Sequence, residues 1–315
     1  HTQENLNASN SNSASFDVFQ DSSGITNLTN TQRNTDEYVS SVSFTSAYET
    51  GDRESSYTIT LGGISNSDIA QGDLGNWLNG NFANNSTGGW YWNGSGSNMN
   101  GNTMTFDLGS GNSKIYVGAK FYLNTTASSG NWRWQGSNNG SSFTDLTSTF
   151  VWQGENSTTI DGYGTYSKEV LWSSDTAYRY IRLEGQSGAT TTDSPWQQEL
   201  QWKVKTGVSN ATGSFEGNPI TASSTNKMGA VITYQDNAGT NALNTDIILK
   251  LSADNGSNYS TATLTALPDF ATGIKMAKVN DLSVTAGTQL KYKIEFANQA
   301  LNSKEARIRG VSLQY

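Results

Sequence analysis

Apolar side chains recur at every second position in several stretches of this chain, and no stretch carries them at the 3.6-residue spacing of a helix. Every second residue is apolar in residues 291–296, and Ile247, Leu249 and Leu251 repeat the pattern. Period-two segments are typical of half-buried antiparallel strands. The last segment changes phase near Gly310, which predicts a β-bulge there. The sequence therefore predicts an all-β protein with very little helix.

The composition fits a folded chain of this class. Charged residues make up 15% of the sequence and the net charge is −8 over 315 residues, which is low for a disordered chain. Nine Trp, 14 Tyr and 11 Phe supply the apolar area that a core needs, and residues such as Thr, Val and Ile suit pleated sheets. We expect β-sandwich modules of the jelly-roll kind, in tandem.

Charge and cysteine content exclude several partners and sites. No cluster of Lys or Arg is present to neutralise phosphates, so we expect no nucleic-acid partner. The sequence has no Cys, which excludes disulfides and thiolate metal sites. No apolar run approaches the ~20 residues of a membrane helix, so we expect no membrane insertion.

The residue inventory also argues against catalysis. The single histidine is His1, which excludes Ser-His-Asp, Cys-His and His-rich zinc sites. A glycosidase needs only two carboxylates about 5 to 10 Å apart, but no acidic pair stands out within an aromatic segment. The sequence therefore predicts that the protein is not an enzyme.

Tryptophan marks one domain, because all nine lie between Trp77 and Trp202. We assign residues 67–206 to a middle β-sandwich and residues 207–315, where alternation is regular, to a C-terminal one. Residues 1–66 are predicted to form an N-terminal arm and a partial β region whose strands complete a following module. The polar start of this arm is expected to be a disordered tail or, alternatively, a segment that docks on a neighbouring subunit.

Four pieces of the middle segment, and a late Glu199 after them, follow one another in a characteristic order. They are residues 79–81 with the later Trp90, residues 104–109, residues 134–143, residues 178–183 and Glu199. Together they resemble the discoidin family, also called the coagulation-factor type C domain, and its galactose-binding-like relatives. The resemblance covers residues 67–206 and implies a jelly-roll sandwich whose loops at one end bind glycans, lipids or proteins. The chain lacks the pair of terminal cysteines of that family.

The resemblance also implies a metal site. Members of the family often hold a structural Ca²⁺ near the early turn, which would place the ion at Asn79, Asn81 and Glu199 of this chain. The chain departs from the family at Asn79, where an Asp is common, and thereby lacks one carboxylate ligand. No other cofactor is expected.

The C-terminal region resembles a module of structural proteins from tailed phages. The stretches that carry this resemblance are residues 19–25, 245–260, 285–294 and 307–315. The resemblance implies a component of the virion surface, such as a tail fibre or capsid appendage, in contact with other virion subunits. Such appendages are usually symmetric assemblies, so we expect a homo-oligomer.

Aromatic residues are the candidate ligand contacts. A sugar site needs flat rings against the apolar face of the sugar, with amides for its hydroxyls. Trp90, Tyr91 and Trp92 are consecutive, so in a strand they cannot all enter one core. Either they contact ligand, or Trp90 and Trp92 are core and Tyr91 covers an edge. Trp152 and Trp196 are further candidates because each adjoins a loop-like segment.

These observations predict a virion surface protein with a non-catalytic, glycan-binding β-sandwich that recognises glycans on a host surface. Two alternatives remain at this point. One is a purely structural decoration or spacer protein, in which the exposed aromatic residues bury at subunit contacts. The other is an extracellular bacterial fibre or adhesin, in which the N-terminal arm inserts as a strand into the next subunit.

Overall fold

The computed structural model describes residues 6–7, 13–192 and 195–315. The chain divides into two compact units. The described residues between 46 and 205 form one, called the middle unit here. Those between 1 and 45 and between 206 and 315, from the two ends of the chain, form the other, called the terminal unit.

The terminal unit begins with five strands, β1 (Leu6–Asn7), β2 (Ser13–Asp17), β3 (Ile25–Thr29), β4 (Thr31–Asn34) and β5 (Tyr38–Ser41). The next thirteen are β6 (Phe44–Tyr48), β7 (Thr58–Gly62), β8 (Ile69–Gly72), β9 (Trp90–Trp92), β10 (Thr103–Asp107), β11 (Tyr116–Leu123), β12 (Ser128–Ser137), β13 (Thr144–Asp145), β14 (Phe150–Gln153), β15 (Asn156–Ile160), β16 (Tyr163–Leu171), β17 (Tyr180–Gly185) and β18 (Gln197–Gly207). The last seven are β19 (Ala211–Gly217), β20 (Ile220–Ala238), β21 (Ile247–Ser252), β22 (Ser260–Thr261), β23 (Thr265–Ala271), β24 (Ile274–Gln299) and β25 (Glu305–Gln314).

Helix is confined, in the part of the chain that the structure describes, to three short 3-10 segments: Glu54–Ser56, Asn66–Asp68 and Leu74–Leu78. Among the described residues no helix is long and apolar enough to cross a membrane. The predicted all-β sandwich class with very little helix is confirmed.

The middle unit contains two antiparallel sheets. One has the order β13-β12-β17-β10-β7, with β14 also on β12, and the other has the order β15-β16-β11-β18-β9-β8, with β6 also on β18. In the central strands alternate residues point inward, as Met104 and Phe106 do in β10 and Trp132 and Trp134 do in β12. The two sheets therefore enclose one core.

Aromatic rings dominate that core. Seven of the nine tryptophans are fully buried, and Trp77 stacks on Trp152 with ring centroids 5.2 Å apart. Phe121 in β11 stacks on Trp134 in β12 at 5.8 Å. Each such pair adds about 0.5–1.5 kcal/mol to the free energy gained from burial alone. The dense tryptophan content of this segment thus provides the core of the middle unit.

The two longest strands of the terminal unit, β20 and β24, pair with each other and with several other strands of that unit. β24 pairs with β20 along one side and with β19 and β21 elsewhere, while β25 pairs with β20. The register between β20 and β25 shifts where Thr233 opposes Gly310 and Tyr234 opposes Ile308, so the bulge predicted near Gly310 is confirmed. The core of the unit includes Phe215 and Ile294.

The division of the chain differs from the predicted boundary at residue 66. Strand β7 pairs with β10 in the middle unit, whereas β2 and β5 pair with β25 in the terminal unit. The early strands do complete later modules, but they belong to two of them, and the middle unit is an insertion within the terminal unit instead of a neighbour in tandem. Backbone pairing between distant segments causes this difference. Within the predicted arm, residues 1–5 and 8–12 lie outside the described residues.

Candidate functional site

Two half-buried aromatic rings meet on the second sheet of the middle unit, where β18 begins beside β9. Tyr91 is the central residue of β9, and Trp196 directly precedes β18. Their ring centroids are 4.8 Å apart and their planes are inclined by 74°. Neither ring belongs to the buried core cluster or packs against it. We call this pair the aromatic corner, since the rings form two nearly perpendicular walls.

The backbone on both sides holds the corner in place. The backbone N–H of Trp196 donates to Oδ1 of Asn124 at 2.7 Å, and its carbonyl oxygen accepts from the backbone N–H of Asn124 at 3.2 Å. Tyr91 lies between Trp90, which opposes Gln197 of β18, and Trp92. Both rings are thus carried by paired strands or by a segment bonded to one, which favours a fixed geometry.

An exposed amide lies beside the corner. Gln71 of β8 opposes Tyr91 in the β8–β9 register. Directly opposed residues of an antiparallel pair have Cβ atoms about 5 Å apart. A Gln side chain offers two N–H donors and a carbonyl acceptor, so Gln71 can serve hydroxyl groups of a ligand that packs on the rings.

Three of the predicted ligand-contacting residues are wrong for that role. Trp90, Trp92 and Trp152 are all 0% exposed. In β9 the alternation of a strand turns the two tryptophans inward and Tyr91 outward. Trp152 lies among other core rings, with centroid distances of 5.2 Å to Trp132 and 5.5 Å to Phe121. These side chains stabilise the sandwich and are closed to a ligand.

At the predicted calcium site, the carboxylate is paired with an arginine of the chain itself. The Glu199 side chain is fully buried, and its carboxylate forms an ion pair with the guanidinium of Arg53, itself only 7% exposed. Its second oxygen, Oε2, accepts from the backbone N–H of Gly80 at 3.0 Å. Arg53 also donates to the carbonyl oxygens of Gly51 and Leu200, at 3.0 and 2.9 Å. Burial lowers the pKa of Arg53, but guanidinium stays protonated in proteins.

The amide oxygens of the early turn are also engaged. Oδ1 of Asn79 accepts from the backbone N–H of Asn81 at 2.8 Å, and Oδ1 of Asn81 accepts from that of Ala83 at 3.0 Å. Among the described residues, no group of three or more His, Cys, Asp or Glu side chains is placed to hold a metal ion. The residues Asn79, Asn81 and Glu199 therefore do not fit Ca²⁺, because their oxygens already serve N–H donors and Arg53.

Comparisons with known proteins give distant structural likenesses. The sequence matches no family model, and no curated protein matches it. The similar solved structures include the family 32 carbohydrate-binding module of C. perfringens NanJ in complex with galactose, at 14% identity and a TM-score of 0.34, covering 50% of this chain and 99% of that one. A fucolectin from Morone saxatilis serum has 10% identity and a TM-score of 0.35, covering 83% and 98%. Discoidin II from Dictyostelium discoideum has 8% identity and a TM-score of 0.35, covering 85% and 98%.

Proposed function

We propose that the middle unit is a non-catalytic, glycan-binding β-sandwich and that the aromatic corner of Tyr91 and Trp196 is its binding site. One observation carries the proposal: these two rings remain accessible outside a core that buries seven of the nine tryptophans completely. The eighth, Trp172, packs against the core. Trp196 is therefore the tryptophan of this unit best placed to contact a ligand.

The corner suits the mixed surface of a sugar. One face of a pyranose ring carries C–H groups, which pack on the flat face of an indole, while the hydroxyls around its rim need donors and acceptors. The Tyr91 ring supplies the second wall, and Gln71 and the Tyr91 hydroxyl supply hydrogen bonds. Few polar partners and two rings favour a weak single site, with a dissociation constant on the order of 1 mM, or about −4 kcal/mol.

The proposed activity is recognition without bond cleavage. Tyr91, Trp196 and Gln71 carry no carboxylate, so the corner itself lacks the pair of carboxylates with which most glycosidases cleave a glycosidic bond. The glycan would be held and released unchanged.

The proposed setting is the virion surface, as the resemblance of residues 245–260 and 285–294 to phage structural modules suggests. Many copies on one particle would convert weak sites into strong attachment to a host surface, because linked sites bind with a high effective concentration. An extracellular fibre of a bacterium would use the same corner in the same way.

A second proposed role is that of a structural subunit whose copies contact one another through the terminal unit. The exposed side chains Phe16, Val18 and Phe270 line one groove of about 580 Å³ in that unit and are 40%, 41% and 68% exposed. Exposed apolar groups that cluster in this way favour a protein contact. Sedimentation of the wild type and of Phe270→Ser tests this role: an oligomer that the substitution dissociates supports it, and a monomeric wild type contradicts it.

A glycan array read with a multimeric form of the protein tests the leading proposal. We expect wild-type signals that Trp196→Ala and Tyr91→Ala abolish. Tyr163→Ala is the matched control, because Tyr163 is an exposed aromatic residue of the same unit, 38% exposed, outside the corner. A blank array with folded, multimeric wild type, or full signal in Trp196→Ala, contradicts the proposal.

A further inference from the structure

A cleft opens between the edge strands of the two sheets of the middle unit. β7 is the last strand of one sheet and β8 is the last strand of the other, so their outer edges pair with no further strand in these sheets. The cleft between them has a volume of about 880 Å³. That size lies within the ~300–1,000 Å³ typical of ligand sites. Its lining includes Ile59, Thr60, Asn66, Ala70 and Gln71.

The cleft and the aromatic corner are linked through Gln71. Gln71 lines the cleft and also opposes Tyr91 across the β8–β9 pair. A glycan chain whose first ring packs on Tyr91 and Trp196 would therefore reach the cleft by passing Gln71. The lining offers amides and a hydroxyl for sugar hydroxyls and aliphatic side chains for C–H groups, the same combination that the corner offers.

Two carboxylates give the cleft a negative charge. Glu54 and Asp73 both line it, and they flank Gly75. Oδ1 of Asp73 accepts from the Gly75 N–H at 2.8 Å, and the Glu54 carboxylate lies so close to Gly75 that a Cβ there would clash with it. Neither carboxylate takes part in an ion pair among the described residues.

The cations near the cleft are paired with other carboxylates. Lys114 contacts the hydroxyl of Tyr57, a lining residue, at 3.2 Å, but it forms an ion pair with Glu49. The described residues that line the cleft include no Lys, Arg or His. Arg53 adjoins Glu54 in the sequence, but its guanidinium is buried against Glu199. A ligand in this cleft meets uncompensated negative charge, which favours cationic groups and disfavours anionic ones.

We propose that this cleft binds further residues of the same glycan chain, and that it selects chains bearing amino groups over neutral chains and neutral chains over those bearing carboxylates or sulfates. The inference rests on the proposed function, because the corner supplies the first contact. The cleft adds two properties that the corner alone does not have, a gain of affinity with chain length and a preference for positive charge.

Three β-1,4-linked tetramers of equal length test the charge preference: glucosamine, N-acetylglucosamine and mannuronate. We expect the glucosamine tetramer to bind the full chain about tenfold more tightly than the mannuronate tetramer at low salt, since charges near a protein surface interact on this scale. The double variant Glu54→Gln, Asp73→Asn should remove most of this difference in affinity. Its amide at position 73 can still accept the hydrogen bond from the Gly75 N–H at the start of the Leu74–Leu78 segment. Asp175→Asn is the control, because Asp175 is an exposed carboxylate outside the cleft lining.

Glucosamine monomer and tetramer test the length dependence. We expect the tetramer to bind about tenfold more tightly per mole than the monomer, a difference of about 1.4 kcal/mol. Ala70→Trp should remove that gain by filling the cleft, and Thr158→Trp on exposed strand β15 should not.

The outcomes separate this inference from the proposed function. Equal affinity for all three tetramers, preference for mannuronate, an unchanged length gain in Ala70→Trp, or no binding of any tetramer overturns the inference. The proposed function is judged independently by the array with Trp196→Ala, which does not depend on the cleft.

Discussion

The guanidinium of Arg53 and the carboxylate of Glu199 form a buried ion pair in the middle unit, at the turn where the discoidin resemblance implied a calcium ion. Arg53 also donates hydrogen bonds to the carbonyl oxygens of Gly51 and Leu200. The Glu199 carboxylate accepts one from the backbone N–H of Gly80. A buried charge is costly unless it is paired and hydrogen-bonded, and here both partners meet that condition. The chain itself provides the positive charge that a metal would otherwise supply.

Removing Arg53 should therefore be strongly destabilising. Arg53→Met leaves the Glu199 carboxylate buried without a counter-charge, and we expect the free energy of unfolding to fall by about 3–5 kcal/mol. Arg133→Met is the control, since Arg133 is a half-exposed arginine paired with Glu184 and should cost about 1 kcal/mol or less. Urea unfolding measures both. Equal losses for the two variants would contradict the assigned role of Arg53.

Calcium should not affect the stability of the wild type. Because the oxygens of Asn79, Asn81 and Glu199 already have partners, we expect the same unfolding temperature with excess EDTA and with millimolar Ca²⁺. Calorimetry of a metal-stripped sample provides the measurement. A rise in the unfolding temperature with Ca²⁺ that Glu199→Gln removes would show that the turn binds the ion after all.

Truncation of Trp152 should lower the stability of the protein much more than truncation of Trp196. Trp152→Ala opens a cavity beneath Trp77 and Phe121, and we expect a loss of about 3–5 kcal/mol in the free energy of unfolding. Trp196→Ala removes a ring outside the core and should cost about 1 kcal/mol or less. Chemical denaturation compares them. A larger loss for Trp196→Ala would mean that the corner is part of the core.

The loop at Asp254 in the terminal unit should make stability depend on pH in the acid range. Hydrogen bonds from the Asn258 and Ser252 side chains and from the Asn258 backbone N–H lower the pKa of Asp254 from 3.8 to about 2. A lowered pKa adds stability that is complete above pH 3.8 and is lost as the pH falls toward 2. Asp254→Asn should therefore be less stable than the wild type at pH 6.

The difference in stability between the wild type and Asp254→Asn should narrow as the pH falls from 3.8 to about 2. The measurement is the unfolding temperature of both across that range, with Asp281→Asn as the control because Asp281 is an exposed carboxylate of the same unit. A gap that stays constant down to pH 2 would contradict the stated cause of the pKa shift.

The sequence predicted the features that depend only on neighbouring residues, namely strands, a bulge and the direction of side chains. The alternation in residues 291–296 predicted a strand, and the phase change at Gly310 predicted its bulge, because side-chain direction depends only on neighbouring residues. The same rule, applied to Trp90, Tyr91 and Trp92, required at least one to face outward. The alternative in which both tryptophans are core is the one found.

Distant partners decided what the sequence could not predict. Trp152 adjoins the loop-like residues Gln153 and Gly154, and only packing against strands elsewhere in the chain buries it. Arg53 and Glu199 are 146 positions apart, so nothing near Arg53 in the sequence indicates its partner. The pairing of β2 with β25 likewise joins the two ends of the chain and could not be inferred from either end alone.

The central claim is that a glycan contacts the corner formed by Tyr91 and Trp196. NMR spectra of protein labelled with ¹⁵N at tryptophan, titrated with the best ligand from the array, test it most directly, because each indole N–H gives a separate signal. We predict that the Trp196 signal, assigned by its loss in Trp196→Phe, shifts with ligand concentration while the signals of the seven buried tryptophans stay nearly constant. Saturable binding that leaves the Trp196 signal unmoved would contradict the account.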